Sequence, residues 1–313
     1  MRPRLHRLTR AGWLVMLCGT LASSLAWPAE RTLDRQFEVG ASAHLIVVAD
    51  TGSIGVQGRD GHEVTVHIEA QGSQELIAHL DLSAGQNASG VSVKVRTNGH
   101  RRDWFGWFWG FGATGERVRL TIEVPRDCSV QLGTSGGYLD VRGLSASVHG
   151  STSGGRISVA DIVGNVEMHT SGGEIDAENL AGPVVLDTSG GRVSVLNATG
   201  ELDAHTSGGG IRLENVDAKI RATTSGGSIR AVARANHGIY LGTSGGRVSL
   251  WLPAGVHASL DASTSGGRVR SELPLSRIEI AERQHLRGDL NGGGERVVLR
   301  TSGGGITIGE LRP

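Results

Sequence analysis

The sequence predicts an all-β protein, a parallel, right-handed β-helix, from three observations. The tetrapeptide Thr-Ser-Gly-Gly occurs nine times, beginning at Thr134, Thr152, Thr170, Thr188, Thr206, Thr224, Thr243, Thr264 and Thr301. The first five intervals are 18 residues each, followed by 19, 21 and 37, which is the periodicity of a solenoid. Aliphatic residues also recur at fixed offsets from each threonine. Eighteen extended residues at about 3.3 Å each close a flattened coil about 60 Å around, and coils stack about 4.8 Å apart as parallel strands. The handedness follows from the crossover rule for parallel strands.

Composition fits this class. Of 313 residues, 38% are hydrophobic and only 4% aromatic, so the core is thin and aliphatic. Most of the 49 glycines sit beside turn residues, which predicts corners with positive φ rather than a flexible linker.

Residues 1–26 read as a signal peptide and stand outside the fold. Arg2, Arg4, Arg7 and Arg10 precede an apolar run from Ala11 to Leu25, with Ser24 and Ala26 at the spacing of a cleavage site. Leu17 before Cys18 does not suit lipid attachment. Cleavage removes four of the 31 basic residues and none of the 31 acidic ones, and the acidic remainder argues against nucleic acid. Cys128 is then the lone cysteine, read as a small buried hydrophobe.

Residues 31–133 form an N-terminal β region with degenerate repeats. Leu45, Val47 and Ala49 alternate, Ile54 and Val56 follow Thr51-Gly52-Ser53, and Val64, Val66 and Ile68 alternate again. Gln74 to Leu80 suggests a turn or two of helix. Val91, Val93 and Val95 are expected to pair with Val118, Leu120, Ile122 and Val124 as an antiparallel flap. Between them, residues 104–111 carry Trp104, Phe105, Trp107, Phe108, Trp109 and Phe111, half of the chain's twelve aromatics. This loop is either a contact site, with Trp104, Trp107, Phe108 and Trp109 as its candidate residues, or a lid over the open end of the solenoid.

Residues 134–313 are the regular solenoid. Counting each Thr as position 0, position 5 carries Leu139, Ile157, Ile175, Val193, Ile211, Ile229, Val248, Val269 and Ile306. Positions 7, 10 and 14 are also aliphatic, which predicts three short apolar segments per coil and inward-facing ladders. Parity places the Thr inward and the Ser outward. Residues 272–300 break the rhythm as a C-terminal excursion, and no later stretch predicts a transmembrane anchor after signal cleavage.

The leader, the early Gly-Ser-Ile-x-Val unit at Gly52 to Val56, the aromatic-and-glycine interruption and the serial Thr-Ser-Gly-Gly-x-Ile/Val copies together resemble the bacterial putative-adhesin family of exported β-strand-repeat proteins. The likeness covers roughly Arg31 to Ile308. It implies architecture and export, and it assigns no activity and no site residue. The 18-residue coil is also similar to that of the bactofilins, cytoplasmic polymers from which the leader sets this chain apart.

Motifs that mimic active sites give way to the repeat. Gly133-Thr-Ser135-Gly-Gly137 and Gly242-Thr-Ser244-Gly-Gly246 match a nucleophile elbow but lack the helix that must follow. His62 and His67 are one residue too far apart for a zinc-protease pair, and strand parity separates them. His169, Asp187 and His205 share position 17 on successive coils, with Glu167 and Asp203 beside them. This column is a metal candidate against the alternative of an ordinary polar ladder. Arg156, Glu174 and Arg192 at position 4 read as an alternating surface ion-pair ladder.

These readings predict no catalytic residue, no cofactor and no metal. The expected function is that of a non-enzymatic exported scaffold, adhesin-like, in the periplasm or at the cell surface. Its partners would be envelope polysaccharide or protein, or further copies of itself. The alternatives are a polysaccharide-active β-helix enzyme and a self-assembling envelope polymer.

Overall fold

The computed structural model describes residues 29–87, 90–98 and 117–311. The leader at 1–26 and the aromatic segment, with Trp104, Trp107, Phe108 and Trp109, lie outside them.

The chain opens with β1 (Ala29–Glu38), β2 (His44–Ala49), β3 (Ser53–Arg59), β4 (Glu63–Gly72), α1 (Gln74–His79), β5 (Leu80–Asn87), β6 (Gly90–Thr97) and β7 (Arg117–Pro125). The regular coils follow as β8 (Ser129–Thr134), β9 (Leu139–Leu144), β10 (Val148–Thr152), β11 (Ile157–Val163) and β12 (Val166–Thr170). Next come three long strands, β13 (Ile175–Thr188), β14 (Val193–Thr206) and β15 (Ile211–Thr224), and then β16 (Ile229–Ala233), β17 (Ile239–Thr243) and β18 (Val248–Leu252). The C-terminal part comprises β19 (Ala258–Thr264), β20 (Val269–Ser271), β21 (Leu275–Ala281), β22 (His285–Leu290), β23 (Arg296–Thr301) and β24 (Ile306–Glu310).

Each coil has two arms meeting at the Thr-Ser-Gly-Gly corner. A leading arm ends on the threonine, and a trailing arm begins five residues later. Arms stack in parallel and in register at the 18-residue step, as Ile175 on Val193 on Ile211 and Thr188 on Thr206 on Thr224 show. Positions 5, 7, 10 and 14 all face one continuous aliphatic core.

The coil has two arms rather than three segments because position 10 belongs to the trailing arm. Position 9 is left-handed in five coils: Gly143 (φ 72°), Asp161 (56°), Asn179 (53°), Asn197 (57°) and Asn215 (57°). These are the residue types that tolerate that region. One extra residue there shifts side-chain parity, so positions 5 and 7 and then 10 point inward without a break in the strand.

The corner follows a different rule from the expected one. None of the Thr-Ser-Gly-Gly glycines lies at positive φ. The second glycine is required by proximity instead: a Cβ on Gly191 would sit 1.8 Å from the Gly173 carbonyl oxygen of the coil before it. Beside it, the Thr206 hydroxyl donates to the Gly191 carbonyl (2.8 Å) and accepts from the Gly209 N–H (3.2 Å). A buried threonine thus joins two coils while satisfying its own polar atom.

Chain order and spatial order part company at both ends. At the N-terminus β2 lies between β6 and β8, and β3 between β7 and β9, so the coil built from β6 and β7 is outermost although it comes later in the chain. The expected flap between Val91–Val95 and Val118–Val124 does not form. These strands are the two arms of one coil and cannot pair; β6 takes β5 and β7 takes β4 as antiparallel neighbours. Strand β1 pairs with β4, and Leu33, Phe37, Leu76 and Ile77 close this end of the core. Ser73 caps α1 by accepting from the Leu76 N–H.

At the C-terminus the last coil in sequence is intercalated. Strand β23 lies between β17 and β19, and β24 between β18 and β20. The Thr301 coil therefore separates those of Thr243 and Thr264. The β21–β22 hairpin then covers β19 antiparallel.

Candidate functional site

The outward faces of the two arms carry the polar columns of the stack. On the leading arms, strand register places His169, Asp187 and His205 on neighbouring coils. His169 Nδ1 is 3.7 Å from an Asp187 carboxylate oxygen, while its Nε2 is 3.0 Å from Glu167. His149 approaches the other Glu167 oxygen at 3.1 Å. The hydrogen bond with His169, first, and the nearby His149 hold the Glu167 carboxyl below its ordinary range. His205 turns instead to the Thr223 hydroxyl, 2.9 Å away. His169 and His205 thus hydrogen-bond to Glu167 and Thr223 rather than to each other or to Asp187, and among the described residues no three His, Cys, Asp or Glu side chains converge as a metal site. A shallow groove of about 320 Å³ runs beside the column, lined by Ser151, Ser153, His169, Ser171, Asp187 and Ser189.

On the trailing arms, position 4 forms the alternating ladder that its sequence suggested. Arg156 meets Glu174 at 3.0 Å and Asp176 at 3.7 Å, and Arg192 reaches the other Glu174 oxygen at 4.0 Å. All are partly exposed, so each pair contributes little to stability. The left-handed column at position 9 adds a side-chain ladder that sequence reasoning overlooked. Asn179 donates to Asp161 and Asn197 to Asn179, both at 2.8 Å, and Asn215 donates to Asn197. The signal was present in the sequence as four Asp or Asn residues at 18-residue spacing.

The other sequence candidates disperse. Ser135, half-buried, and Ser244, exposed, sit at corners that lead into β9 and β18, not into helices. His62 lies in the bend before β4, whereas His67 bonds Asp34 and Glu69, which raise its pKa. Cys128 is fully buried, and burial pushes its thiol up to about 11, which makes it inert as a nucleophile.

The chain belongs to the Toastrack DUF4097 family, whose profile matches residues 45–309. No curated protein matches it. Among solved structures it is similar to a putative adhesin from Parabacteroides distasonis, with 12% identity over 90% of this chain and 97% of that one and a TM-score of 0.50. A putative adhesin from Parabacteroides merdae has 10% identity over 90% and 97% of the two chains, with a TM-score of 0.44. A putative lipid binding protein from Parabacteroides distasonis has 11% identity with the same coverages and a TM-score of 0.41. At such identities the likeness is one of fold, and the first of the three supports the β-solenoid assignment.

Proposed function

Taking membership of the Toastrack family as the premise, we propose that this protein is a non-enzymatic, exported solenoid that binds or supports a repetitive partner in the bacterial cell envelope, in the periplasm. The observation that carries this reading is the register. Equivalent outward side chains, such as Arg156, Glu174 and Arg192 or His169, Asp187 and His205, recur on successive coils of flat parallel sheets. A polymer with its own repeat meets many weak contacts on such a face at once, and linkage among them raises avidity without any one being strong. Export is supported by the arginine-rich, apolar leader at 1–26. Among the described residues no helix is long and apolar enough to cross a membrane.

The aromatic segment with Trp104, Trp107, Phe108 and Trp109 is proposed as a further contact. Strand β6 ends at Thr97 and β7 opens at Arg117, so in the chain this segment stands between the two arms of the outermost coil, where other coils carry Thr-Ser-Gly-Gly. Leu33, Phe37, Leu76 and Ile77 already pack over that end of the core, which favours contact over lid. A glycan-binding screen with parallel detection of reducing ends tests the whole reading. Binding without turnover supports it, and release of new reducing ends overturns it. The W107S/W109S double variant is expected to lose association while keeping its melting temperature.

A further inference from the structure

The trailing sheet changes character where the Thr301 coil is intercalated. At position 4, three spatially successive coils carry Arg247, Gly305 and Arg268. Gly305 has no side chain, so the space between the two arginines stays open as a groove of about 480 Å³. Arg270 stands at position 6 beside Thr307, its partner in the neighbouring strand. Arg283 joins from the excursion, held by a bond from the Val269 N–H to the Arg283 carbonyl (3.0 Å) and one from Gln284 to the Ser265 carbonyl (2.6 Å). The four guanidinium-bearing residues are exposed. Among the described residues none of them has a carboxylate within ion-pair distance, in contrast to Arg156 and Arg192 at the same position further up the sheet.

Four cations around one groove repel one another until an anion enters. A guanidinium presents a planar fork that matches carboxylate, sulfate or phosphate oxygens in pairs. Arg247 and Arg268 are two coils apart, about 10 Å along the stack, so the groove suits a ligand with more than one anionic group. The groove lining is arginine, glycine and Thr307, with Ile306 buried beneath. It offers no exposed apolar side chain to insert into a bilayer, which leaves a membrane only the charge attraction of about 1 kcal/mol per basic residue. We infer that the groove between Arg247 and Arg268 binds acidic groups of an anionic polysaccharide. The occupant rests on the binding role proposed above; the anion site itself does not.

The experiment uses the mature full chain with polygalacturonate, neutral dextran, inorganic phosphate and phosphatidylglycerol vesicles at low and moderate salt. Polygalacturonate is expected to bind, to weaken as salt rises and to lose about tenfold or more in affinity in R247Q/R268Q. The control R59Q/R126Q, which removes two exposed arginines paired with Glu123 and Asp60 away from both polar columns, is expected to bind as the parent does, and both variants to keep the parental melting temperature. T307E, which puts a carboxylate inside the groove, is expected to block binding. Equal binding by R247Q/R268Q and the parent overturns the site, as does failure of both polygalacturonate and phosphate to bind. Vesicle binding without polygalacturonate binding overturns the polysaccharide assignment. Salt-insensitive dextran binding that survives R247Q/R268Q sinks the groove while leaving the broader binding role intact.

Discussion

From Thr134 to Thr224 each coil lies on the one before it in sequence, whereas in the last three coils the order in space is Thr243, Thr301, Thr264. Both regions use the same corner: the Thr264 hydroxyl donates to the Gly304 carbonyl at 2.7 Å much as Thr206 donates to Gly191 at 2.8 Å. Corner and core energetics are therefore indifferent to which copy comes next. What differs is how the arrangement is secured. The middle needs only nearest-neighbour contacts, which form locally and propagate. The C-terminal end must bring residues 296–310 back between two coils already made, across a longer loop, and it adds a tie that the middle lacks. Asp261 on β19 accepts two bonds from Arg300 on β23 at 2.8 and 2.9 Å, and it meets His285 on β22 at 3.1 Å.

The largest expected effect separates the two regions directly. Deleting residues 296–313 removes Val297, Leu299, Ile306 and Ile308, all essentially buried, each contributing about 1.5–3 kcal/mol of burial. It also strips β19 and β20 of their parallel neighbours. Hydrogen exchange is expected to show lost protection over residues 258–290, with β13 to β15 still protected, as a one-dimensional stack allows. Uniform loss across the chain would show that the end and the middle form one cooperative unit.

Next in size is a change at the corner. Gly191→Ala drives a Cβ to within 1.8 Å of a backbone oxygen, whereas at Gly190 the nearest atom is 3.6 Å away. The first is expected to cost about 3 kcal/mol or more and the second under about 1 kcal/mol, read from denaturant midpoints. Similar midpoints for the two would refute the close-approach account of the repeat.

This contrast bears on what the sequence discloses. Corners, the inward threonine and the columns at positions 5 and 10 were legible because each depends only on a residue's place within its own coil. The second glycine's role was not, since the clash that requires it comes from the coil below. The order of the end coils was hidden for a related reason: the copies at Thr243, Thr264 and Thr301 share the same pattern, so nothing in it specifies which lies on which. The arginine groove inherits that blindness. Read along the chain, Arg247 and Arg268 belong to consecutive copies; only the intercalated Gly305 sets them two coils apart with open space between. The ladder of Arg156, Glu174 and Arg192 needed no such knowledge, because there chain order and stack order agree.

The tie at Asp261 yields a smaller, pH-dependent effect confined to the end. Its hydrogen bonds from Arg300, chiefly, and from His285 hold its carboxyl below the ordinary value. A depressed carboxylate contributes stability that is present above its unfolded pKa, near 3.9, and lost as pH falls through the lower folded value. Asp261→Asn is therefore expected to cost about 1–2 kcal/mol at pH 7 and to flatten the parent's loss of stability below about pH 4. Exchange protection should fall in β19, β22 and β23 and stay unchanged in β14. A parallel loss in β14 would mean that the tie serves the whole stack.

The smallest effect belongs to the ladder in the middle. Arg192 reaches Glu174 at only 4.0 Å, and both side chains are well exposed, so their attraction is weakened by solvent and offset by the entropy of holding two long chains in place. Glu174 keeps its shorter contact with Arg156 at 3.0 Å when Arg192 is removed. Arg192→Ala should shift stability by no more than about 0.5 kcal/mol. A Glu174→Gln change removes the carboxylate shared by both arginines, leaving Arg192 uncompensated and Arg156 with only its longer contact to Asp176 at 3.7 Å, two coils apart as Arg247 and Arg268 are. Residue 174 keeps a side chain where Gly305 has none, so the space between the arginines remains filled. E174Q is thus expected to leave polygalacturonate affinity at the parental level within about twofold. A gain approaching that of the C-terminal groove would mean that uncompensated charge alone, without the open gap over Gly305, is enough to hold an anion on this sheet.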